Sequence, residues 1–337
     1  MRNKKNHIKR YRAKNFKHGQ AIKFSSGTFI FERILKTIIF WILKLSIRDY
    51  MQESREKTQH IIDDTYKRLR SKEFMYIPAG SALYLFISFV PIVTLVSSIG
   101  FINSNLNTIL RSVVLGRIIP GIEKIVPDLS TIIKTGTTNN IVLAILFVFS
   151  ALWLSSRGYA KFIDSVSIFY DHKGPNRFLR NKIKALWIVI SLTLIIFIVF
   201  LIFSAFMWFL NAKAGWATNS WQFLFVYYVL AIFFIFVIFI SGYIGLFKFA
   251  PNFKLKYQHV IPGAFVSAIP SSIFTAVFGT FVSLGTYDKW GAVSSFMYLQ
   301  IFLLFMSYFT YVGLLVNASF YRTFISNQTI PKKISRI

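Results

Sequence analysis

Cysteine is absent from the 337 residues, which excludes disulfides, thiolate metal sites, thiol nucleophiles and attachment of a lipid at cysteine. Acid is scarce too: 12 Asp and Glu stand against 39 Lys and Arg, a formal net charge of +27. His7, His18, His60, His172 and His259 are scattered, with no two at the helical spacing that a metal site uses. Asp63 and Asp64 are adjacent, so on a helix their carboxylates point apart, and a solvated charged segment accounts for them. No glycine-rich loop leads into Lys and then Ser or Thr, which argues against direct use of ATP. No catalytic residue, metal or cofactor is expected on these grounds. The start also lacks a short basic stretch running at once into an apolar core and a small-residue cleavage site, so the basic N-terminus is expected to stay in the mature chain.

Apolar residues, by contrast, are abundant. They make up 55% of the chain, aromatics 18%, and the mean hydropathy of +0.54 is too apolar for a water-solvated surface. Apolar blocks long enough to cross ~30 Å of hydrocarbon at about 1.5 Å per residue recur from Pro78 onward. The expected fold is all-α, a polytopic membrane protein with six transmembrane helices near 78–102, 141–160, 184–210, 222–247, 259–284 and 291–318. These fill one transmembrane domain over 78–320. The 103–140 loop carries Ile109, Leu110, Val113, Val114 and Leu115 before Pro120-Gly121 and is expected to place a short helix on the outer surface. No internal repeat is apparent.

Ahead of the spans, residues 1–28 bear Arg2, Lys4, Lys5, Lys9, Arg10, Arg12, Lys14, Lys17 and Lys23 with no acid, a composition that predicts a disordered basic cytoplasmic tail. No nucleic-acid module is recognisable in it. Its expected partners are therefore membrane lipids with anionic headgroups, at about 1 kcal/mol per basic residue near the surface. Residues 29–77 divide in two: between Phe29 and Ile47, Phe31, Ile34, Leu35, Ile38, Ile42 and Leu45 fall at helical spacing, flanked by Glu32, Arg33, Lys36, Lys44 and Arg48, which predicts an N-terminal interfacial amphipathic helix. A seventh span would hold Lys36 near mid-bilayer at roughly 2.5–3.5 kcal/mol. A charged cytoplasmic helical connector follows to Tyr76, and residues 321–337 read as a second cytoplasmic tail.

Orientation follows from charge. Lys and Arg number 19 in residues 1–77, seven from Arg157 to Lys184, three from Lys248 to Lys256 and four from Arg322 onward, against six on the other side. Basic loops are retained in the cytoplasm, so both termini are expected there, in a multi-pass inner or plasma membrane protein.

Polar chemistry within the spans is concentrated in three of them. Ser81, Tyr84, Ser88 and Pro91 lie 3, 4 and 3 residues apart on one stripe of the first span, which predicts a face toward protein or water. Pro91 would free a carbonyl near Ile87, and Pro270-Ser271-Ser272 would interrupt the fifth span near its centre. Interrupted helices often line transport sites, although a packing kink explains the same residues. Gln300, Ser307 and Tyr311 share a face of the sixth span. The candidate substrate path is thus Ser81, Tyr84, Ser88, Pro91, Pro270, Ser271, Gln300, Ser307 and Tyr311. Below the second span, Arg157, Lys161 and Asp164 fall on one face, and Arg157 with Lys161 is the candidate contact for an anion, or else a pair of cations reaching to headgroups.

Four stretches resemble the YihY/BrkB family, once labelled as ribonuclease BN-like, over roughly 30–320. These are Ser81-Ala-Leu-Tyr84 to Ser88-Phe-Val-Pro91; Trp153-Leu-Ser155 on to Tyr170; Phe249-Ala-Pro251 with Pro262-Gly263-Ala264; and Gly291 through Gly313 to Asn317. The chain departs from that pattern at Ser167, where the family has Asn, at Phe302, where it has Trp, and at Leu315, where a Glu follows the last glycine. The resemblance implies a six-helix inner-membrane protein linked with envelope lipid export and serum resistance. Two other functions compete, a scaffold recruiting envelope-assembly partners and, remotely, a membrane ribonuclease, though phosphodiester cleavage needs carboxylates or an acid-base pair that this sequence does not assemble.

Overall fold

The computed structural model describes residues 55–97, 138–172, 178–212, 220–284 and 291–325, together with Lys36, Thr37, Phe40, Trp41 and Lys44. Among these residues the extended elements are all helices: α1 (Arg55–Leu69), α2 (Lys72–Ser97), α3 (Thr138–Phe169), α4 (Phe178–Ala212), α5 (Trp221–Phe249), α6 (Ile261–Leu284) and α7 (Gly291–Phe324). A single 3-10 turn, Tyr257–His259, precedes α6. Within α4 to α7, the stretches Leu179–Asn211, Trp221–Phe249, Ile261–Gly279 and Phe296–Phe324 are long and apolar enough to cross a membrane. Only a helix satisfies every backbone group internally along such a stretch when no water is at hand. Local chemistry sets the ends. Ser220 Oγ accepts from the Phe223 N–H to start α5, Pro251 follows its close, and Pro262 occupies the first turn of α6, where its missing N–H costs nothing.

Consecutive helices from α2 to α7 pack on one another, and α7 returns to pack on α2, so the six close into a ring. Its main core lies at one end. There the start of α2 (Phe74), the end of α3 (Phe162, Val166, Phe169, Tyr170), the start of α4 (Ile188) and the ends of α5 and α7 (Phe247, Tyr321) are all buried together. These are the ends joined by the basic segments. Tyr170 packs against Phe253 at 4.9 Å and Tyr321 at 6.1 Å between ring centroids. A smaller cluster, Leu299, Phe302, Leu303 and Met306, sits farther along α7 with Phe86, Phe274 and Phe278 against it. The outside of the ring is apolar: Trp187, Leu194, Ile198, Ile202 and Phe206 on α4, Phe225, Val229 and Phe233 on α5, and Ile273 and Val277 on α6 are all exposed. A surface of this kind suits lipid and not water.

Three expectations need correction. The charged connector is indeed helical as α1, but it is docked and not solvated: Ile61, Ile62 and Thr65 are fully buried, the two isoleucines against Val266, Val316 and Phe320. The narrow stripe of Ile61, Ile62 and, one turn on, Thr65 outweighs the charged residues that occupy the other faces. The prolines do not interrupt their helices, since α2 runs through Pro91 and α6 through Pro270. One missing backbone bond is a small loss to a long helix held by neighbours on both sides. Finally, Asp164 does not share its setting with Arg157 and Lys161; those two are exposed, while Asp164 Oδ1 accepts from Asn181 Nδ2 at 2.8 Å.

Of the anticipated amphipathic helix, Lys36, Thr37, Phe40, Trp41 and Lys44 are helical, and the rest lies outside the described residues. Lys36 is turned onto α1, its Nζ 2.7 Å from Asp63 Oδ1 and 4.9 Å from the Tyr66 ring centre. The tails and the 103–137 loop also lie outside the described residues.

Candidate functional site

The hydroxyls anticipated on α2, α6 and α7 meet inside the ring. Tyr311 OH and Ser81 Oγ are 2.7 Å apart, joining α7 to α2. One turn away Ser307 Oγ donates to the Pro78 carbonyl at 2.6 Å, and Tyr308 OH to the Met75 carbonyl at 3.3 Å. The Tyr311 ring packs between Phe162 and Phe169 of α3 at 5.5 and 5.7 Å. Ser271 takes a different partner, Tyr243 OH of α5 at 2.8 Å, and Thr310 Oγ1 of α7 donates to the same tyrosine at 3.3 Å. The residues therefore form two polar knots, α2–α7 and α5–α6–α7. Gln300 lies on the α2-facing side of α7, farther from the basic end, and among the described residues its buried Oε1 has no hydrogen-bond partner. Tyr84 is half-buried, Pro270 is half-buried, and the side chains of Ser88 and Pro91 lie outside the described residues.

Where α6 meets α7 the backbones nearly touch. A Cβ built on Gly263 would lie 2.5 Å from Cγ and Nδ2 of Asn317 and closer still to the Gly313 carbonyl oxygen; one on Gly313 would collide with Ser267 Oγ and the Gly263 carbonyl. Only glycine fits either position. The close approach lets Asn317 bridge the helices: Oδ1 accepts from the Gly263 N–H at 2.7 Å and Nδ2 donates to the Val260 carbonyl at 3.2 Å. Ser267 Oγ donates to the Phe309 carbonyl at 2.9 Å. Small residues one turn apart on both helices are the usual means of such packing.

Charged groups cluster at the basic end. Lys184 Nζ donates to the carbonyls of Ala250 and Pro251, both at 2.7 Å, and to Asn252 Oδ1 at 3.1 Å, which satisfies the carbonyl end of α5. Asn252 Nδ2 donates to Asn181 Oδ1 at 3.0 Å, and Asn181 in turn reaches Asp164. A second cluster caps α3. Arg322 donates to the Phe169 carbonyl at 2.6 Å and pairs with Asp171 at 3.1 Å; Arg68 of α1 reaches the same two groups at 3.4 Å and pairs with Asp64 at 3.3 Å. Asp171 has φ of 52°, the left-handed turn that ends a helix. Arginine at a helix C-terminus also meets the negative end of its dipole. Nearby, His259 is held below the ordinary histidine pKa by burial and by Lys256 and Lys248, and the Lys256 N–H donates to its Nδ1 at 3.4 Å. Burial and Arg180 lower His172 similarly. Among the described residues no three of His, Asp and Glu are placed to hold a metal.

A family model described as Virulence factor BrkB matches residues 65–335, from the middle of α1 to beyond the end of α7. The chain belongs to the Virulence factor BrkB family. No curated protein and no solved structure matches it.

The BrkB-type stretches acquire physical meaning in the fold. Gly263, Gly313 and Asn317, far apart in sequence, meet in the close α6–α7 approach just described, and Pro262 stands beside Gly263 in the first turn of α6. The Pro251 carbonyl is a Lys184 acceptor, Tyr170 is a core ring, Ser155 is fully buried, Gly291 starts α7, and Trp153 stands exposed under the Lys182 ammonium at 3.3 Å. Two of the departures are buried, Phe302 and Leu315; Ser167 merely donates back to the Ile163 carbonyl. Lys184, Asn181, Asn252, Arg68, Arg322, Tyr243 and Thr310 were not singled out in the sequence. Only Asp64 and Arg68 carry a local signal, their four-residue spacing on a helix; the others find their partners on other helices or loops, from 17 residues away for Asn181 and Asp164 to 153 for Arg322 and the Phe169 carbonyl.

Proposed function

We propose that this BrkB-family membrane protein crosses a cell membrane six times, with both termini cytoplasmic, and moves a lipid or other amphiphilic anion across the bilayer. The two further spans are α2 and α3, of 26 and 32 residues, each longer than the ~20 residues a crossing requires. The 33 basic residues on one side supply the orientation.

The observation that carries translocation is the buried Oε1 of Gln300 on the α2-facing side of α7, which has no hydrogen-bond partner among the described residues. An amide oxygen left unpaired in apolar surroundings costs about 1–3 kcal/mol, and a passing polar headgroup offers the missing donor. Gln300→Leu separates this from packing. It removes the unpaired oxygen, so the purified variant should melt at or above the parent temperature, while labelled phospholipid in reconstituted vesicles should cross no faster than in empty vesicles. Leucine at 300 with undiminished lipid movement, or parent protein that moves none, defeats the reading.

A scaffold role is favoured by a different observation: Ser81 and Tyr311 pair with each other, Ser307 with the Pro78 carbonyl and Ser271 with Tyr243, as they would in a bundle with no path. Deleting residues 1–28 distinguishes the two. Loss of cellular function with intact folding supports recruitment through the basic tail, and tolerance of the deletion supports the conduit.

A further inference from the structure

Where α3 and α4 pack together toward the basic end, the outside of the ring carries a cationic stripe. Trp153, Arg157 and Lys161 follow at four-residue spacing on α3, which puts them on one face, and all three are exposed. From α4, Lys182 extends its ammonium to 3.3 Å above the Trp153 ring, holding a cation over the aromatic. The acid that might have neutralised this stripe, Asp164, is turned inward to Asn181. Among the described residues Arg157, Lys161 and Lys182 form no ion pair. Beside the cations the surface is apolar, with Leu154 of α3 and Ile183 and Trp187 of α4 all exposed.

We propose that this face is a binding site for one anionic phospholipid of the cytoplasmic leaflet. Arg157 presents the two-pronged donor geometry that fits a phosphate, Lys161 and Lys182 add charge on either side, and the acyl chains lie along Leu154, Ile183 and Trp187. Trp153 and Trp187 are residues of the kind that settle at the headgroup level. Three cations without a counter-charge select a headgroup of net negative charge, because a zwitterionic one brings its own cation with it. The site rests on the placement of α3 as a span whose basic end is cytoplasmic, and it does not require that lipid be translocated.

The test is lipid retention by the full-length protein in neutral detergent, read by native mass spectrometry with phosphatidylglycerol and phosphatidylcholine supplied in equal amounts. The parent should retain phosphatidylglycerol preferentially. A basic residue near an anionic surface is worth about fivefold, so R157Q/K161Q/K182Q should lose about tenfold or more of that retention. K67Q/K72Q/K254Q, which removes the same charge from exposed positions elsewhere at the basic end, should keep it. If the first triple variant does not fold, K161Q alone should still lose several-fold. Equal retention of both lipids by the parent, no loss in the variants, an equal loss in the control, or displacement of the lipid by millimolar inorganic phosphate would each overturn the site. If phosphatidylglycerol is retained as expected while vesicles show no lipid movement, this site stands and translocation falls.

Discussion

Substituting Gly313 by alanine adds a single methyl group, yet the packing of α6 on α7 makes it a severe change. The new Cβ would collide with Ser267 Oγ and with the Gly263 carbonyl, the second of which is backbone and can yield only if the helices separate. Forcing extra volume into a tight contact costs typically 1–3 kcal/mol. Separation also strains three interhelical hydrogen bonds, Asn317 to Gly263, Asn317 to Val260 and Ser267 to Phe309, each worth about 0.6 kcal/mol within a membrane. Alanine returns about 0.5–1 kcal/mol through its better helix propensity. The net expectation is a loss of about 2–3 kcal/mol for G313A, and a similar loss for G263A. Two glycines provide the opposite sign on the same scale: a Cβ on Gly80 or Gly245 meets nothing within 4 Å. G80A and G245A should therefore be neutral or gain up to about 1 kcal/mol. Thermal unfolding of the four purified variants in one detergent, followed by size-exclusion fluorescence, should place G313A and G263A several degrees below the parent and the other pair at or above it. G313A melting level with G245A would refute the close-contact reasoning.

Three further outcomes are expected. Lys184→Met strands the Ala250 and Pro251 carbonyls and should lower stability by about 1–3 kcal/mol, measured by the same melt; an unchanged midpoint would show that water replaces the ammonium. Asp171→Ala leaves Arg68 and Arg322 facing each other without their shared carboxylate, so amide exchange in α1 should accelerate, and combining it with Arg68→Ala should cost less than the two separate losses together. His259 is neutral in the folded chain and its pKa is depressed, so the unfolded chain binds the extra proton first. Stability should be flat above the ordinary histidine value of about 6.5 and fall as pH drops below it; His259→Asn should flatten that slope, and an identical slope in the variant would rule His259 out as its source.

What was legible in the sequence was whatever depends on composition and on short repeats. Uninterrupted apolar runs marked α4 to α7, because a chain in lipid has few ways to satisfy its backbone, and the helix ends at Ser220, Pro251 and Pro262 are set by residues adjacent to them. The four-residue spacing of Ser307 and Tyr311 correctly placed them on one face. That the face meets Ser81 and the Pro78 carbonyl was not readable, since nothing local to α7 names its neighbour. Proline was misleading for a related reason: sequence shows the lost N–H at Pro270, while whether a helix breaks there depends on what packs around it. Charged α1 reads in sequence as a solvated connector because its buried stripe is narrow, and only the α6–α7 surface beneath it shows where Ile61 and Ile62 go.

The sequence alone thus determined an apolar, helical, acid-poor chain, because those properties are sums over residues and local periods, while four separate stretches carried the resemblance to the BrkB family. Tertiary structure decided which polar groups are satisfied. Lys184 finds the end of α5, two arginines share Asp171, Asn317 threads between Gly263 and Val260, and among the described residues Gln300 Oε1 finds no partner. Each of those three pairings depends on the distance between atoms more than 50 positions apart, and that distance exists only once the ring of helices has closed.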